Sequence, residues 1–208
     1  MAAITVSRQL GSLGYEISRL SAQALGYRFV WRELINQAAR QSGAPEVALA
    51  TIDDLGLLGI SPSPKARLAY RLAVKRIMES LADEGGAVIL GRAGQVILGG
   101  RPDVLHVRVI APVDLRIRRV AEIQKISLES AQAQVETTDR NRRNYLKRFY
   151  HAHWDDPVLY DLVINTANLT PAAAATLIRQ ALDARLSGNH PSASQQEKTA
   201  FGPNQTSP

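Results

Sequence analysis

An α/β fold, one parallel sheet covered by helices, is what this chain of 208 residues predicts. Apolar β-rich runs alternate with helical patterns, and consecutive runs stand at least a helix-length apart, which suits crossovers and not hairpins. The first run enters a Gly/Ser loop that opens an amphipathic helix. At 45% hydrophobic and 21% charged residues the composition is that of a globular protein, long enough for one domain with a sizeable core and too short for two.

Taken in order, Ala3–Val6 is the first expected strand, with Ile4, Thr5 and Val6 suited to burial. Gly11, Ser12 and Gly14 form the turn, and Ile17, Leu20, Ala24 and Leu25 keep one apolar helical face until Gly26 stops it. Arg28–Trp31 is the second strand, followed by a helix over 32–42 with Leu34, Ile35, Ala38 and Ala39 inward. Residues 43–63 are the loosest internal segment, rich in Gly, Pro and small residues around Asp53 and Asp54, of the kind that moves or binds something. Pro64 opens a long helix to about Ala82, carrying Leu68, Leu72, Ile77 and Leu81, and Gly85-Gly86 ends it. Ala87–Leu90 and Val104–Ile110 are the third and fourth strands, and a further helix follows Pro112. After a last strand, Asp161–Asn165, Thr170 and Pro171 make an N-cap and N1 pair for a helix burying Leu177, Ile178, Ala181 and Leu182 and closing at Gly188. The 187–208 stretch is Ser, Gln, Asn, Pro and Gly, a composition expected to be a disordered tail.

Composition removes several function classes. Without cysteine there is neither a disulfide framework nor a thiolate metal site. There is no apolar run of membrane-spanning length and no signal-peptide pattern, so a cytoplasmic protein is expected. The formal charge of +6 is concentrated in Arg116, Arg118 and Arg119 and then in Arg140, Arg142, Arg143, Lys147 and Arg148. Such a stripe on a helix is more often a solvated face than a site, and without interleaved aromatic rings it lacks the stacking platforms of a single-strand binder. His151 and His153 look like metal ligands, but no further histidine or carboxylate stands at helical spacing, so a turn is expected there; His106 reads as packed within a strand.

The chemistry-bearing motif is Ile4–Glu16, a strand, Gly/Ser loop and helix. That layout places backbone N–H groups at a helix N-terminus, where anions bind. In a full G-x-x-x-x-G-K-[ST] loop the lysine reaches the terminal phosphates and the hydroxyl ligates Mg²⁺. Aligning Gly11-Ser12 with the Gly-Ser of such a loop puts Leu13 at a glycine, Gly14 at the lysine and Glu16 at the hydroxyl; counting Gly14 as the last glycine puts Tyr15 at the lysine instead. Neither register supplies a lysine. Gly91 and Arg92 fall at the carboxyl end of the third strand, the edge where open α/β sheets bind ligands, and arginine grips phosphate with a planar fork. Asp139, Arg142 and Arg143 are spaced to share one helical face, with Arg140 and Lys147 pointing elsewhere; mobile arginines of this kind stabilise charge in phosphoryl transfer, and Asp139 could orient one of them.

With these motifs assembled, the chain from about Ala3 to Leu186 resembles the cytidylate kinase-like family of P-loop nucleotide kinases. One branch carries S-R-Q-x-G-S-G-G, close to the stretch from Ser7 to Gly14; a G-R motif matches Gly91-Arg92, an R-R pair Arg118-Arg119, a D-R-x-R stretch Asp139 to Arg142, and D-x-x-I-[ND]-T the run from Asp161 to Thr166. The resemblance implies a P-loop NTPase-type sheet of five parallel strands in the order 2-3-1-4-5, one domain over 1–186 with an acceptor-side insert at 43–63 and a lid over 112–156. It implies phosphoryl transfer from ATP with Mg²⁺ to CMP or dCMP. The partners implied are nucleotide substrates, with no specific nucleic acid and no membrane, and no oligomeric state follows. Under it, Ser7, Gly11, Ser12, Gly14 and Arg118 would hold the donor phosphates, Arg92 and Asp139 would serve the acceptor, and Arg140 and Arg142 would clamp the transfer. Arg8 is the candidate for the lost lysine's charge, and Glu16 for Mg²⁺. If position 13 requires a positive φ, Leu13 costs roughly 1–2 kcal/mol. A non-catalytic nucleotide-binding module and a kinase for a non-nucleotide acceptor are the alternatives.

Overall fold

The computed structural model describes residues 2–31 and 64–188. The helix expected over 32–42, the 43–63 segment and the tail beyond Gly188 lie outside the described residues. The described elements are β1 (Ala3–Arg8), α1 (Gly14–Leu25), β2 (Arg28–Val30), α2 (Pro64–Glu84), β3 (Ala87–Leu90), the short α3 (Gly94–Ile97), β4 (Val104–Ile110), α4 (Val113–Gln124), α5 (Leu128–Tyr150), a 3₁₀ turn (Pro157–Leu159), β5 (Leu162–Asn165) and α6 (Pro171–Leu186).

The strands form one five-stranded sheet in the order β2-β3-β1-β4-β5, every pairing parallel. This is the expected P-loop NTPase-type order. β1 lies at the centre and runs further than Val6, through Ser7 and Arg8, which pair with Arg108 and Val109 of β4. Alternation of side chains along each strand divides the core in two. Ile4, Val6, Val88 and Leu90 point toward α1 and α6, where Ile17, Ile178 and Leu182 are buried. Ala3, Ala87 and Ile89 point the other way, onto Tyr70, Val74, Ile77, Met78 and Leu81 of α2.

Helix boundaries follow local chemistry. Gly26, with φ 67°, closes α1, and Gly85 and Gly86, both at positive φ, follow α2. Thr170 caps α6 by accepting from the Ala173 N–H at 3.2 Å, with Pro171 behind it. The buried faces are in part those expected, with Ile17 of α1, Ile77 and Leu81 of α2 and Ile178 and Leu182 of α6 inside. Leu68 and Leu72 of α2 and Leu177 of α6 are exposed, because Tyr70, Val74 and Met78, spaced by four, take the interior stripe of α2. In α1 the serines Ser18 and Ser21 are buried while Ala24 faces out. Ser18 tolerates this by donating to the Gly14 carbonyl at 2.7 Å.

His106 is packed, 6% exposed, on β4 opposite Thr5 of β1, with Nδ1 2.7 Å from the threonine hydroxyl. Burial holds its pKa below the ordinary histidine value, and Arg185 pushes the same way against Asp161. The folded protein therefore keeps this imidazole neutral while the unfolded chain accepts a proton first, so the stability it contributes is complete above the unfolded pKa and falls as pH drops through about 6.5. Melting followed between about pH 7 and pH 5 should show a shallower loss of stability in His106→Gln than in the parent protein; an identical slope would assign the dependence to other groups.

Candidate phosphate-binding site

The loop after β1 is held from outside by its carbonyls. Arg116 Nη1 donates to the Leu10 carbonyl at 3.1 Å and Arg119 Nη1 to that of Gly11 at 3.4 Å. The Thr166 hydroxyl donates to the Ser12 carbonyl at 3.0 Å, and the Ser12 hydroxyl turns back to the Gln9 carbonyl at 2.9 Å. With the carbonyls drawn outward, the first N–H groups of α1, which have no partner within a helix, are the donors the loop can offer. Gly11, at φ 78°, is required twice, because a Cβ there would lie 2.6 Å from the Arg116 carbonyl oxygen. Leu13 takes φ 65° with no side-chain cap bond, so the expected positive φ is present, carried by a leucine at roughly 1–2 kcal/mol.

Arg116 is 5% exposed and reaches three elements at once: its own helix entry through the Ala111 carbonyl, the loop, and Asp139 of α5 at 2.8 Å. Asp139 is equally buried. It therefore orients an arginine, the role its spacing suggested, and it is not among the residues that line the smaller cavity described below, the side the resemblance implied for it. Arg119 also bonds the hydroxyl and carbonyl of Thr166 at 3.0 and 2.8 Å. Arg118, singled out from the sequence, is exposed on α4 and reaches no part of the loop; its neighbours Arg116 and Arg119 do. Their three-residue spacing, which puts both on one helix face, was the available clue.

At the end of β3 the chain makes a left-handed turn, with φ 85° at Gly91, 60° at Arg92 and 57° at Ala93. The turn swings Arg92 inward, where it is 8% exposed. Burial lowers its pKa to about 10, with Tyr145 and Tyr150 working against that shift and Arg142 adding to it. Arg92 thus remains a cation at neutral pH. Arg142 of α5 crosses to β1 and donates to the Arg8 carbonyl at 2.8 Å. Arg143, expected on the same face as Arg142, turns aside to Asp155 at 2.9 Å, and Arg140, expected to point elsewhere, is exposed and bonded to Thr137 at 3.2 Å.

Two cavities meet here. The larger, about 520 Å³, is bounded by the loop at Gly11, Leu13 and Gly14, by Glu16, and by Thr138 of α5. Its volume lies within the range of small-molecule sites. The smaller, about 40 Å³, is bounded by Ser7, Gly91, Arg92, Gln95 and Trp154. Arg8, Trp31, Leu90 and Arg142 line both. Ser7 faces the smaller cavity and not the loop, and its hydroxyl accepts from Trp154 Nε1 at 2.9 Å and from Tyr160 at 3.4 Å. Arg140 and Arg118 border neither. His151 caps α5 at φ 52° and the His153 carbonyl accepts from the Asp156 N–H, a turn as expected. Among the described residues no group of three or more histidines and carboxylates could hold a metal, and no helix is long and apolar enough to cross a membrane.

A central strand, a carbonyl-braced loop at a helix N-terminus and arginines at the strand ends together define a P-loop protein of the kinase type. The chain belongs to the cytidylate kinase-like family, whose sequence model matches residues 3–168. It is 30% identical over 183 residues to a cytidylate kinase of Pyrococcus horikoshii, covering 86% of this chain and 88% of that one. It is 29% identical over 183 residues to a cytidylate kinase of Thermococcus sibiricus, with 86% and 87% covered. A uronate isomerase of Corynebacterium glutamicum is 29% identical over 139 residues, 67% of this chain and 26% of that protein, so the likeness concerns about a quarter of it. Among solved structures, an uncharacterized protein from Eubacterium ventriosum shares the fold with a TM-score of 0.70 at 18% identity, over 88% of this chain and 99% of that one. A gluconokinase from Sinorhizobium meliloti shares it with a TM-score of 0.50 at 16% identity, over 96% and 98%.

The Arg116–Asp139 pair gives a test of the bracing. Removing one partner of a buried ion pair leaves the other charge uncompensated, so Asp139→Ala should lose about 3–5 kcal/mol of stability in denaturant unfolding. Arg116→Met combined with Asp139→Leu should lose less than Asp139→Ala alone. A double variant no better than the single would place the cost in the Ala111 and Leu10 carbonyls that Arg116 also satisfies.

Proposed function

We propose that this protein is an ATP- and Mg²⁺-dependent kinase that transfers a phosphoryl group to a nucleoside monophosphate, with CMP or dCMP as the leading acceptors. The observation that carries the reading is the junction of the two cavities, where the loop side and the Arg92 side meet at Arg8 and Arg142. An in-line transfer needs donor and acceptor phosphates on either side of one point with cations between them, and the junction has that form. The choice of cytosine nucleotides rests on the cytidylate kinases among its relatives.

Under this reading the N–H groups opening α1 hold the donor phosphates, Arg92 grips the acceptor phosphate with a fork that stays charged at neutral pH, and Arg142 faces the transferring group. No general base is needed, because positioning and neutralisation of the equatorial oxygens carry the reaction. Glu16 fits a Mg²⁺ role: it is exposed in the first turn of α1 and borders the larger cavity, and Mg²⁺ is held by one or two carboxylates together with substrate phosphates. When bound, the ion would neutralise phosphate charge. Gly14 at the lysine position and Glu16 at the hydroxyl position favour a second reading, a nucleotide-binding module without catalysis.

The test is diphosphate formation from ATP, Mg²⁺ and each of CMP, dCMP, UMP, AMP and GMP. Arg92→Ala and Arg142→Ala should each lower turnover at least about 10²-fold while the protein keeps its cooperative melting transition. Unchanged rates in both would overturn the kinase reading. ATP binding with no product from any acceptor would favour the non-catalytic one.

A further inference from the structure

Gly14 is not in the left-handed region, so its backbone would accept any L residue. What excludes a side chain there is Arg8. A Cβ on Gly14 would overlap Arg8 Cβ and lie 3.0 Å from Arg8 Cγ. From that point the arginine stem runs to Gly91, where a Cβ would lie 2.6 Å from Arg8 Nη1. The side chain is thus laid from the loop across to the Arg92 turn, over two glycines, and it borders both cavities. Its base is fixed: Arg8 pairs with Val109 in the sheet, its carbonyl accepts from Arg142, and the Gly91 N–H donates to Val6 two residues before it at 2.9 Å.

We infer that Arg8 and a lysine at position 14 are alternative occupants of one volume, and that Arg8 supplies the phosphate-binding cation that this loop would otherwise draw from position 14. The phosphate role of Arg8 rests on the kinase reading above. The exchange changes what the cation can do. A lysine is a point charge, whereas a guanidinium fork has two edges and can address two anions at once. Lying between the loop and Arg92, the fork of Arg8 faces donor and acceptor sides together, and Gly14 and Gly91 are the residues that make room for it.

The probe is inorganic tripolyphosphate, titrated calorimetrically into the intact chain, with diphosphate formation measured in parallel. Arg8→Gln should weaken tripolyphosphate binding at least about tenfold. Gly14→Lys alone should also weaken binding, because its stem displaces that of Arg8. Arg8→Gly combined with Gly14→Lys should bind tighter than Arg8→Gly by at least about tenfold, the lysine now having its volume free. Binding by Arg8→Gln equal to that of the parent, no gain from the lysine in the combined variant, or no tripolyphosphate binding by the parent would overturn the inference. If the combined variant does not melt cooperatively, Arg8→Gln decides alone, since glutamine keeps the start of the stem in place. The two readings fail separately. A parent that binds tripolyphosphate through Arg8 but phosphorylates no acceptor ends the kinase reading only. A parent whose turnover and binding survive Arg8→Gln ends this inference only.

Discussion

The shape of the loop after β1 is set less by its own residues than by the side chains that hold its carbonyls. Arg116, Arg119 and Thr166 grip Leu10, Gly11 and Ser12 in succession, and Arg116 is itself held by Asp139. A buried ion pair of this sort gains little by itself, because desolvation of both charges offsets their attraction. Here the guanidinium also satisfies two backbone carbonyls, so its desolvation is compensated by hydrogen bonds as well as by charge. The consequence is that α4, α5 and the loop are tied at one point. Together with the Arg142 bond to Arg8 and the Trp154 bond to Ser7, this fixes the cations at the cavity junction before any ligand arrives. Preorganised charge of that kind needs no reorganisation at the moment of reaction.

That rigidity is what lets the site carry strain. Positive φ occurs at Leu13, Arg92 and Ala93, none of them glycine, each costing on the order of 1–3 kcal/mol. Lys125 and His151 also have positive φ, but both are exposed helix C-caps, an ordinary place for it. The three at the site are different: Arg92 and Ala93 are buried, and Leu13 packs against the core between the sheet, α1 and α6. For Arg92 the result is a side chain turned into the smaller cavity, since an arginine in an extended strand continuation would follow the pleat instead of turning under the sheet edge.

The sheet was legible because its strands are apolar runs separated by punctuation that has one meaning, such as Gly26, Gly85-Gly86 and the Thr170-Pro171 pair. Helix phase was less so. A reading that weights leucines puts Leu68, Leu72 and Leu177 inside, yet the interior of α2 is taken by Tyr70, Val74 and Met78. The site was legible where a residue's role is local: Gly11 in its turn, Leu13 at its positive φ, Arg92 at the end of β3. It was illegible where the role depends on a partner far along the chain. An arginine on an amphipathic helix reads as a solvated face, and it is the meeting with Asp139, 23 residues away, and with the Leu10 carbonyl, 106 residues away, that makes Arg116 structural. The resemblance puts Ser7 with the donor phosphates, whereas strand alternation and its bonds to Trp154 and Tyr160 turn it to the smaller cavity.

The charge excess of +6, which by itself invites a nucleic-acid partner, resolves into separate uses. Arg101 is paired with Asp83 and Asp103, Arg185 with Asp161, Arg143 with Asp155, and Arg108 lies over the Trp154 and Tyr160 rings while also meeting Asp155. Arg116 and Arg119 brace the loop. What converges on one place is the set Arg8, Arg92 and Arg142, with Glu16 the carboxylate that borders the larger cavity. Burial works against the Arg92 cation, and Arg142 adds to that pressure. Tyr145 and Tyr150 work the other way, so the guanidinium keeps its charge beside a second arginine.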